Sequence, residues 1–209
     1  IAGIFSATGQ TCVAGSRVLL QDSIHDAFVE RVAKLTQAAK VGNPLDPKSE
    51  IGPITTKPQF DKILSYIDIA TKEGARCVAG GRALSGPGYG AGRFVEPTIF
   101  VDVTNDMRIA QEEVFGPVLA VTPFDGEAEA IRLANATPYG LAGAVWTANL
   151  SRAHRTVRAV RAGVVHVNTY GGADISVPLG GFGQSGFGRD KSLHAFDGYT
   201  DLKTAWIAL

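Results

Sequence analysis

Along the 209 residues of this chain the apolar spacing switches repeatedly between a two-residue period and a three-to-four-residue period, with only short glycine or proline breaks between the segments. A period of two sends alternate side chains to opposite faces of a strand, and a period of three to four lines one face of a helix. Strands are expected at residues 17–21, 76–79, 98–101, 119–122, 144–147 and 164–167. A helix is expected from Ser23, with Asp26 completing a capping box, with Ile24, Ala27, Phe28, Val32 and Leu35 on its apolar face, and with an end before Gly42-Asn43-Pro44. A second starts at Thr56 with Gln59 as its box partner, carries Phe60, Ile63, Leu64 and Ile67, and stops near Gly74. Shorter helices are expected at 108–111, 127–135 and 150–161. Such alternation implies an α/β fold: one domain with a mostly parallel sheet and helices on both faces. The last stretch, 199–209, alternates like a strand with no evident partner, which makes it either an ordinary edge of the same sheet or an edge that meets another chain.

Composition narrows the function. With 45% hydrophobic and 19% charged residues the chain has the balance of a globular domain, and 20 basic residues offset 20 acidic ones. No global field is available to hold nucleic acid or an anionic membrane, so neither is an expected partner and recognition must be local. No run of about 18 apolar residues is present, and Ile1 to Phe5 carry no basic leader or cleavage signature, so a cytoplasmic location is expected. Two cysteines, Cys12 and Cys77, rule out a disulfide framework and fit a reducing compartment. Cys77 lies in the short apolar run Ala75-Arg76-Cys77-Val78-Ala79, where a thiol is expected to be a small buried hydrophobe.

Cys12 has a different setting. Gly9-Gln10-Thr11-Cys12-Val13-Ala14-Gly15 places it among small residues that let a backbone approach a ligand. A second run, Gln111-Glu112-Glu113-Val114-Phe115-Gly116-Pro117-Val118, combines an acidic pair, an aromatic ring and a Gly-Pro turn. A third combines Pro178-Leu179-Gly180-Gly181, Gln184-Ser185-Gly186 and Gly188-Arg189-Asp190. The glycines of that third run are read as a flexible loop at a pocket mouth, because the Gly-Lys-Ser ending of a phosphate loop is missing.

In this order the three runs resemble the aldehyde dehydrogenase superfamily, and the resemblance covers nearly the whole chain. It implies the catalytic domain, residues 1–197, followed by an oligomerisation strand at 198–209 that makes homo-oligomers; the family's nucleotide-binding domain and its catalytic glutamate are absent from this chain. It implies oxidation of a small aldehyde with NAD or NADP, and no metal. Cys12 is then the nucleophile that forms a thiohemiacetal and then a thioester, with its own N–H as an oxyanion donor. Glu113 would grip the nicotinamide ribose hydroxyls in a fork, and Phe115 would pack beside the nicotinamide. Thr11, Val13, Asn168, Leu179 and Asp190 are the expected lining of the substrate pocket. Glu112 is expected to be a solvated helix-end acid. The chain alone is expected to be inactive as a dehydrogenase, for want of a hydride-acceptor site and a hydrolytic base.

Two positions depart from the commonest family pattern. Leu179 replaces a phenylalanine of the substrate tunnel, and Asp190 replaces a longer glutamate. The segments Asp190-Lys191-Ser192-Leu193-His194-Ala195 and Leu202-Lys203-Thr204-Ala205-Trp206-Ile207 look like the branch that oxidises γ-glutamyl-aminobutyraldehyde and similar ω-amino or hydroxy aldehydes. Two other readings stand beside this one: a cysteine hydrolase or transferase using Cys12, His166 or His194, and Asn168, and a non-catalytic association module.

Overall fold

The helical and strand periods of the sequence are realised as an α/β architecture in the computed structural model, which describes residues 1–172 and 174–209. The chain divides into two units, Ile1–Thr137 and Pro138–Leu209. In the first, α1 (Ala2–Phe5) leads to β1 (Arg17–Gln21) and α2 (His25–Ala38). Then come α3 (Lys57–Lys72), β2 (Arg76–Ala79) and the short antiparallel pair β3 (Ala83–Leu84) and β4 (Phe94–Val95). They are followed by β5 (Thr98–Val101), α4 (Arg108–Gln111), β6 (Val118–Phe124) and α5 (Glu127–Asn135).

Four strands form one sheet in the order β1-β6-β5-β2. β6 runs parallel to both β1 and β5, and β2 pairs antiparallel at the edge, so the sheet is mostly parallel as expected. The period of two in the central strands divides their side chains between two cores. Phe100, Val118 and Ala120 join Ile63, Tyr66 and Ile67 of α3 and Ile109 of α4 on one face. Ile99, Val101, Leu119 and Val121 join Ile4 and Phe5 of α1 and Val29, Val32 and Ala33 of α2 on the other. Helices therefore cover both faces, and burying each large apolar side chain stabilises by about 1.5–3 kcal/mol.

Two helix readings need correction. The Thr56 cap forms, with the Gln59 N–H donating to its Oγ1 at 3.3 Å, but the Gln59 side chain turns away from the cap. For α2, Ser23 falls in a tight turn (Asp22–Ile24) and caps nothing; Ile24 occupies the cap position with no side-chain bond. The expected apolar face is also displaced. Val29, Val32 and Ala33 pack inward while Ile24, Phe28 and Leu35 are exposed. Two adjacent apolar stripes lie on this helix, and only packing against the sheet selects between them.

In the second unit, β7 (Tyr139–Gly140) precedes β8 (Ala142–Val145), α6 (Leu150–Ala159) and β9 (Val164–Val167), and β10 (Phe182–Gly183) returns to pair antiparallel with β7. β8 and β9 are parallel and α6 connects them, capped by Asn149, whose Oδ1 accepts from the Arg152 N–H at 2.9 Å. Both strands are largely half-buried rather than buried, because a two-stranded ribbon with one helix against it hides less than a sheet between two layers. Residues 199–209 lie in no helix or strand, and Leu202 and Trp206 are almost fully exposed. Among the described residues the tail does not join a sheet of its own chain.

Candidate active site

Cys12 is presented by an unusual backbone. Ala7, Thr8 and Gly9 follow α1 with φ of 50°, 58° and 68°, three consecutive left-handed residues of which only the last is glycine. Each of the other two costs on the order of 1 kcal/mol and persists only where neighbours enforce it. Buried Thr8 donates its hydroxyl to the Gly52 carbonyl at 3.3 Å. Gly9 runs into the second motif: a β-carbon built on it would lie 2.0 Å from the Gly116 oxygen. The chain then turns, with the Ala14 N–H donating to the Thr11 carbonyl at 2.9 Å and the Gly15 N–H to the Gly3 carbonyl at 2.7 Å. Cys12 sits in this turn, exposed, with Thr11 and Val13 half-buried on either side. Among the described residues nothing accepts from its N–H or bonds its sulfur.

The two acids of the second motif have different fates. Arg108 grips Glu112 with both ends of its guanidinium, Nε to Oε1 and Nη2 to Oε2 at 2.8 Å each, and the Tyr66 hydroxyl donates to the same carboxylate. These bonds hold the Glu112 carboxyl down to about 2, and burial with this carboxylate beside it raises the Tyr66 phenol above its ordinary value. Arg108 is itself fixed, its backbone N–H donating to Glu73 at 2.9 Å and its guanidinium lying 5.4 Å from the Tyr66 ring centroid. Glu112 is thus a half-exposed strut tied to two side chains, not the free solvated acid expected. Glu113 is exposed, and its carboxylate has no partner among the described residues.

Phe115, half-buried, adopts φ of 57°. Its carbonyl and that of Val114 both accept from Gln59 Nε2 at 2.9 Å. Gly116 lies under Ile63, where a β-carbon would come within 2.5 Å of the isoleucine Cδ1, so the turn is packed from below by α3 and from the side by Gly9. The first unit therefore brings the Cys12 loop and the Glu113–Phe115 loop together across backbone that tolerates no side chain.

The remaining candidates lie in the second unit. Leu179 and Asp190 face each other in an antiparallel bridge, Leu179 N–H to Asp190 oxygen at 2.8 Å and the reverse at 2.7 Å. Asp190 also lines an open cleft of about 690 Å³ with Ile175, Lys191, Leu193 and Phe196. The glycine-rich run is braced, in contrast to the flexible loop expected. Arg189 Nη1 donates to the carbonyls of Gly181 at 3.1 Å and Gly188 at 2.7 Å, and its guanidinium lies 5.0 Å from the Phe182 ring centroid. Asn168, with φ of 55°, ends β9 and spends its amide on one neighbour: Oδ1 accepts from the Thr147 N–H at 2.8 Å and Nδ2 donates to the Thr147 carbonyl at 3.0 Å.

Cys77 is exposed on the edge strand rather than buried. Its thiol donates to the Ala79 carbonyl at 3.2 Å, and partial desolvation raises its pKa, so it is the less nucleophilic kind of thiol. Among the described residues no group of three His, Cys, Asp or Glu is arranged to hold a metal ion, and no helix is long and apolar enough to cross a membrane. Sequence reasoning missed Gln10 and Gln59. Their signals were present in Gly-Gln-x-Cys and in Thr-x-x-Gln, but the second was read only as a cap.

The sequence profile described as the aldehyde dehydrogenase family matches residues 1–205. A betaine aldehyde dehydrogenase of Mesorhizobium japonicum is 47% identical over 205 residues, 98% of this chain and 42% of that protein. The crystal structure of a P. syringae indole-3-acetaldehyde dehydrogenase mutant in complex with NAD+ superposes with a TM-score of 0.94 at 54% identity, covering 100% of this chain and 42% of that one. An aldehyde dehydrogenase from Pseudomonas aeruginosa gives 0.94 at 52% identity with the same coverage. The chain thus spans about 42% of the length of the relatives it matches.

Proposed function

We propose, from the premise that this chain belongs to the aldehyde dehydrogenase family, that it supplies the nucleophile and one end of the cofactor site for NAD(P)-dependent oxidation of a small aldehyde to a carboxylic acid. The observation that carries the reading is the pairing of an exposed, unbonded Cys12 with an unpaired Glu113 on two loops locked together at Gly9 and Gly116. The Cys12 thiolate adds to the carbonyl carbon, the C=O π pair moves to oxygen, and the free Cys12 N–H stabilises the alkoxide. When that alkoxide reforms C=O, the carbon loses a hydride and a thioester remains on Cys12. Water, deprotonated by a general base, cleaves the thioester, the acid departs, and the thiol is restored.

The residues fit a nicotinamide nucleotide. Glu113 offers two free carboxylate oxygens, the acceptor set that a vicinal diol requires, and Phe115 offers an apolar ring two residues on. When bound, the nicotinamide is the acceptor of the hydride. Thr11 and Val13, the chain neighbours of Cys12, and Asn168, Leu179 and Asp190 are the residues proposed for the substrate pocket. An ω-amino or hydroxy aldehyde is the proposed substrate class. Residues 1–197 are taken as the catalytic domain, and 198–209 as the strand that forms only against a second copy, where exposed Leu202 and Trp206 would be covered. The cytoplasm is the proposed location, since both thiols are free.

The test compares the chain alone with a protein that joins it to a nucleotide-binding half, each given propanal and a panel of ω-amino aldehydes with NAD. NADH is expected only from the joined protein and is lost in Cys12→Ser. Appreciable NADH from the chain alone, or from Cys12→Ser, would overturn the assignment.

A further inference from the structure

Both loops of the site are anchored to a third element, which the proposed chemistry does not use. Thr55, directly before the cap of α3, donates its N–H at 3.0 Å and its hydroxyl at 2.9 Å to Gln10 Oε1, two residues from Cys12. Gln10 Nε2 donates in turn to the Pro53 carbonyl at 3.4 Å. One turn along, Gln59 donates to both carbonyls that follow Glu113, at 2.9 Å each. The five residues 55–59 therefore hold the cysteine loop through one glutamine and the Glu113 loop through another. Phe115 needs that support, because φ of 57° is a conformation that a bulky side chain rarely adopts unaided.

We propose that Gln10 and Gln59 are positioning residues that fix the separation between the Cys12 thiol and the Glu113 carboxylate, with the first turn of α3 as their common anchor. The proposal rests on the functional reading given above. A transfer between a carbon bonded to sulfur and a bound ring requires the reacting atoms about 3–3.5 Å apart, and a misplacement of about 1 Å costs on the order of 100-fold in rate. Gln10 sets one side of that separation and Gln59 the other; neither touches the reacting atoms.

The test uses the protein that carries both halves and compares two activities. Turnover of p-nitrophenyl acetate uses Cys12 without a hydride acceptor and reports the cysteine loop alone. NADH formation from an aldehyde reports both loops. Gln59→Met keeps the length and removes the amide donor, and Gln59→Asn keeps the amide but falls one methylene short. Each is expected to lower the ratio of NADH formation to ester turnover at least tenfold, with ester turnover within twofold of the parent and KM for NAD raised. Gln10→Met is expected to lower both activities together. An unchanged ratio in either Gln59 variant, or parallel loss of both activities in both, overturns the proposal. Cys12→Ser separates the two levels: if it still forms NADH, the functional reading falls and this proposal with it. If Cys12→Ser is inactive while the Gln59 ratio is unchanged, only the positioning role falls.

Discussion

Gly9 approaches Gly116 so closely that a β-carbon on the first would lie 2.0 Å from the carbonyl oxygen of the second. The obstacle is backbone on both sides, so no rotamer change relieves it, and φ of 68° at Gly9 adds a conformation that L residues resist. Gly9→Ala is therefore expected to destabilise the chain by roughly 3 kcal/mol or more and, in the protein carrying both halves, to lower Cys12-dependent ester turnover in parallel. Urea unfolding curves and ester assays on the purified variant check this, and a change under about 0.5 kcal/mol would contradict the contact.

Glu112 gives a stability that depends on acid. Its carboxyl falls from an ordinary 4.5 to about 2 because Arg108 and then Tyr66 bond the ionised form. A lowered folded pKa means the stabilisation is fully present above pH 4.5 and disappears as pH falls toward 2. The pair is well exposed, 49% for Arg108 and 40% for Glu112, so solvent screening reduces the effect to on the order of 1 kcal/mol. Glu112→Gln should flatten the decline of stability between pH 4.5 and 2, measured by denaturant unfolding at several pH values; an unaltered slope would show that the strut contributes nothing.

The displaced face of α2 can be tested by comparing two residues. Val29 packs against the sheet core, whereas Phe28 is 39% exposed. Val29→Ala is expected to cost about 1–3 kcal/mol and Phe28→Ala under about 1 kcal/mol, although the second removes far more side chain. The reverse order in thermal or urea unfolding would restore the face expected from periodicity.

Removing the Glu113 charge probes the cofactor end. Glu113→Gln keeps the shape and weakens acceptance from a ribose diol, so in the protein carrying both halves KM for NAD should rise about tenfold. Ester turnover at Cys12 should not change. Equal loss of both would place Glu113 in the thiol's environment instead.

Much of the fold was legible because the sheet depends on a strictly local pattern. Val118 to Val121 alternate between two cores, and the two-residue period states that directly. The edges of inference lie where two local patterns compete. Ile24, Ala27, Phe28 and Leu35 lie on a helical stripe beside that of Val29 and Ala33, with Val32 common to both, and only packing against the sheet decides which is buried. Residues 199–209 alternate like a strand, yet strand formation requires a partner ladder, which a sequence cannot supply.

The site was legible to a similar depth. Cys12 and Glu113 stood out because their neighbours form recognisable motifs, and the structure sets their two loops against each other at Gly9 and Gly116. The distinction between Glu112 and Glu113 was not readable, since it depends on Arg108 and on Tyr66, which lies 46 residues away in sequence. Gln59 carried a helix-start signal that concealed its longer-range bonds, because the same amide can serve either the cap or a distant carbonyl.

Gly116 and Pro117 are the two residues immediately before β6, and that placement ties chemistry to hydrophobic parity. Sliding β6 by one position would exchange its inward faces, driving Val118 and Ala120 toward the α1 and α2 side and Leu119 and Val121 toward α3. The same slip would carry the turn at Gly116 about 3.3 Å along the strand axis and out of reach of Gly9. A misregistered molecule is thus penalised twice over, in greasy packing and in the spacing between thiol and carboxylate. Hydrophobic register and the joining of the two loops fail together in this part of the chain.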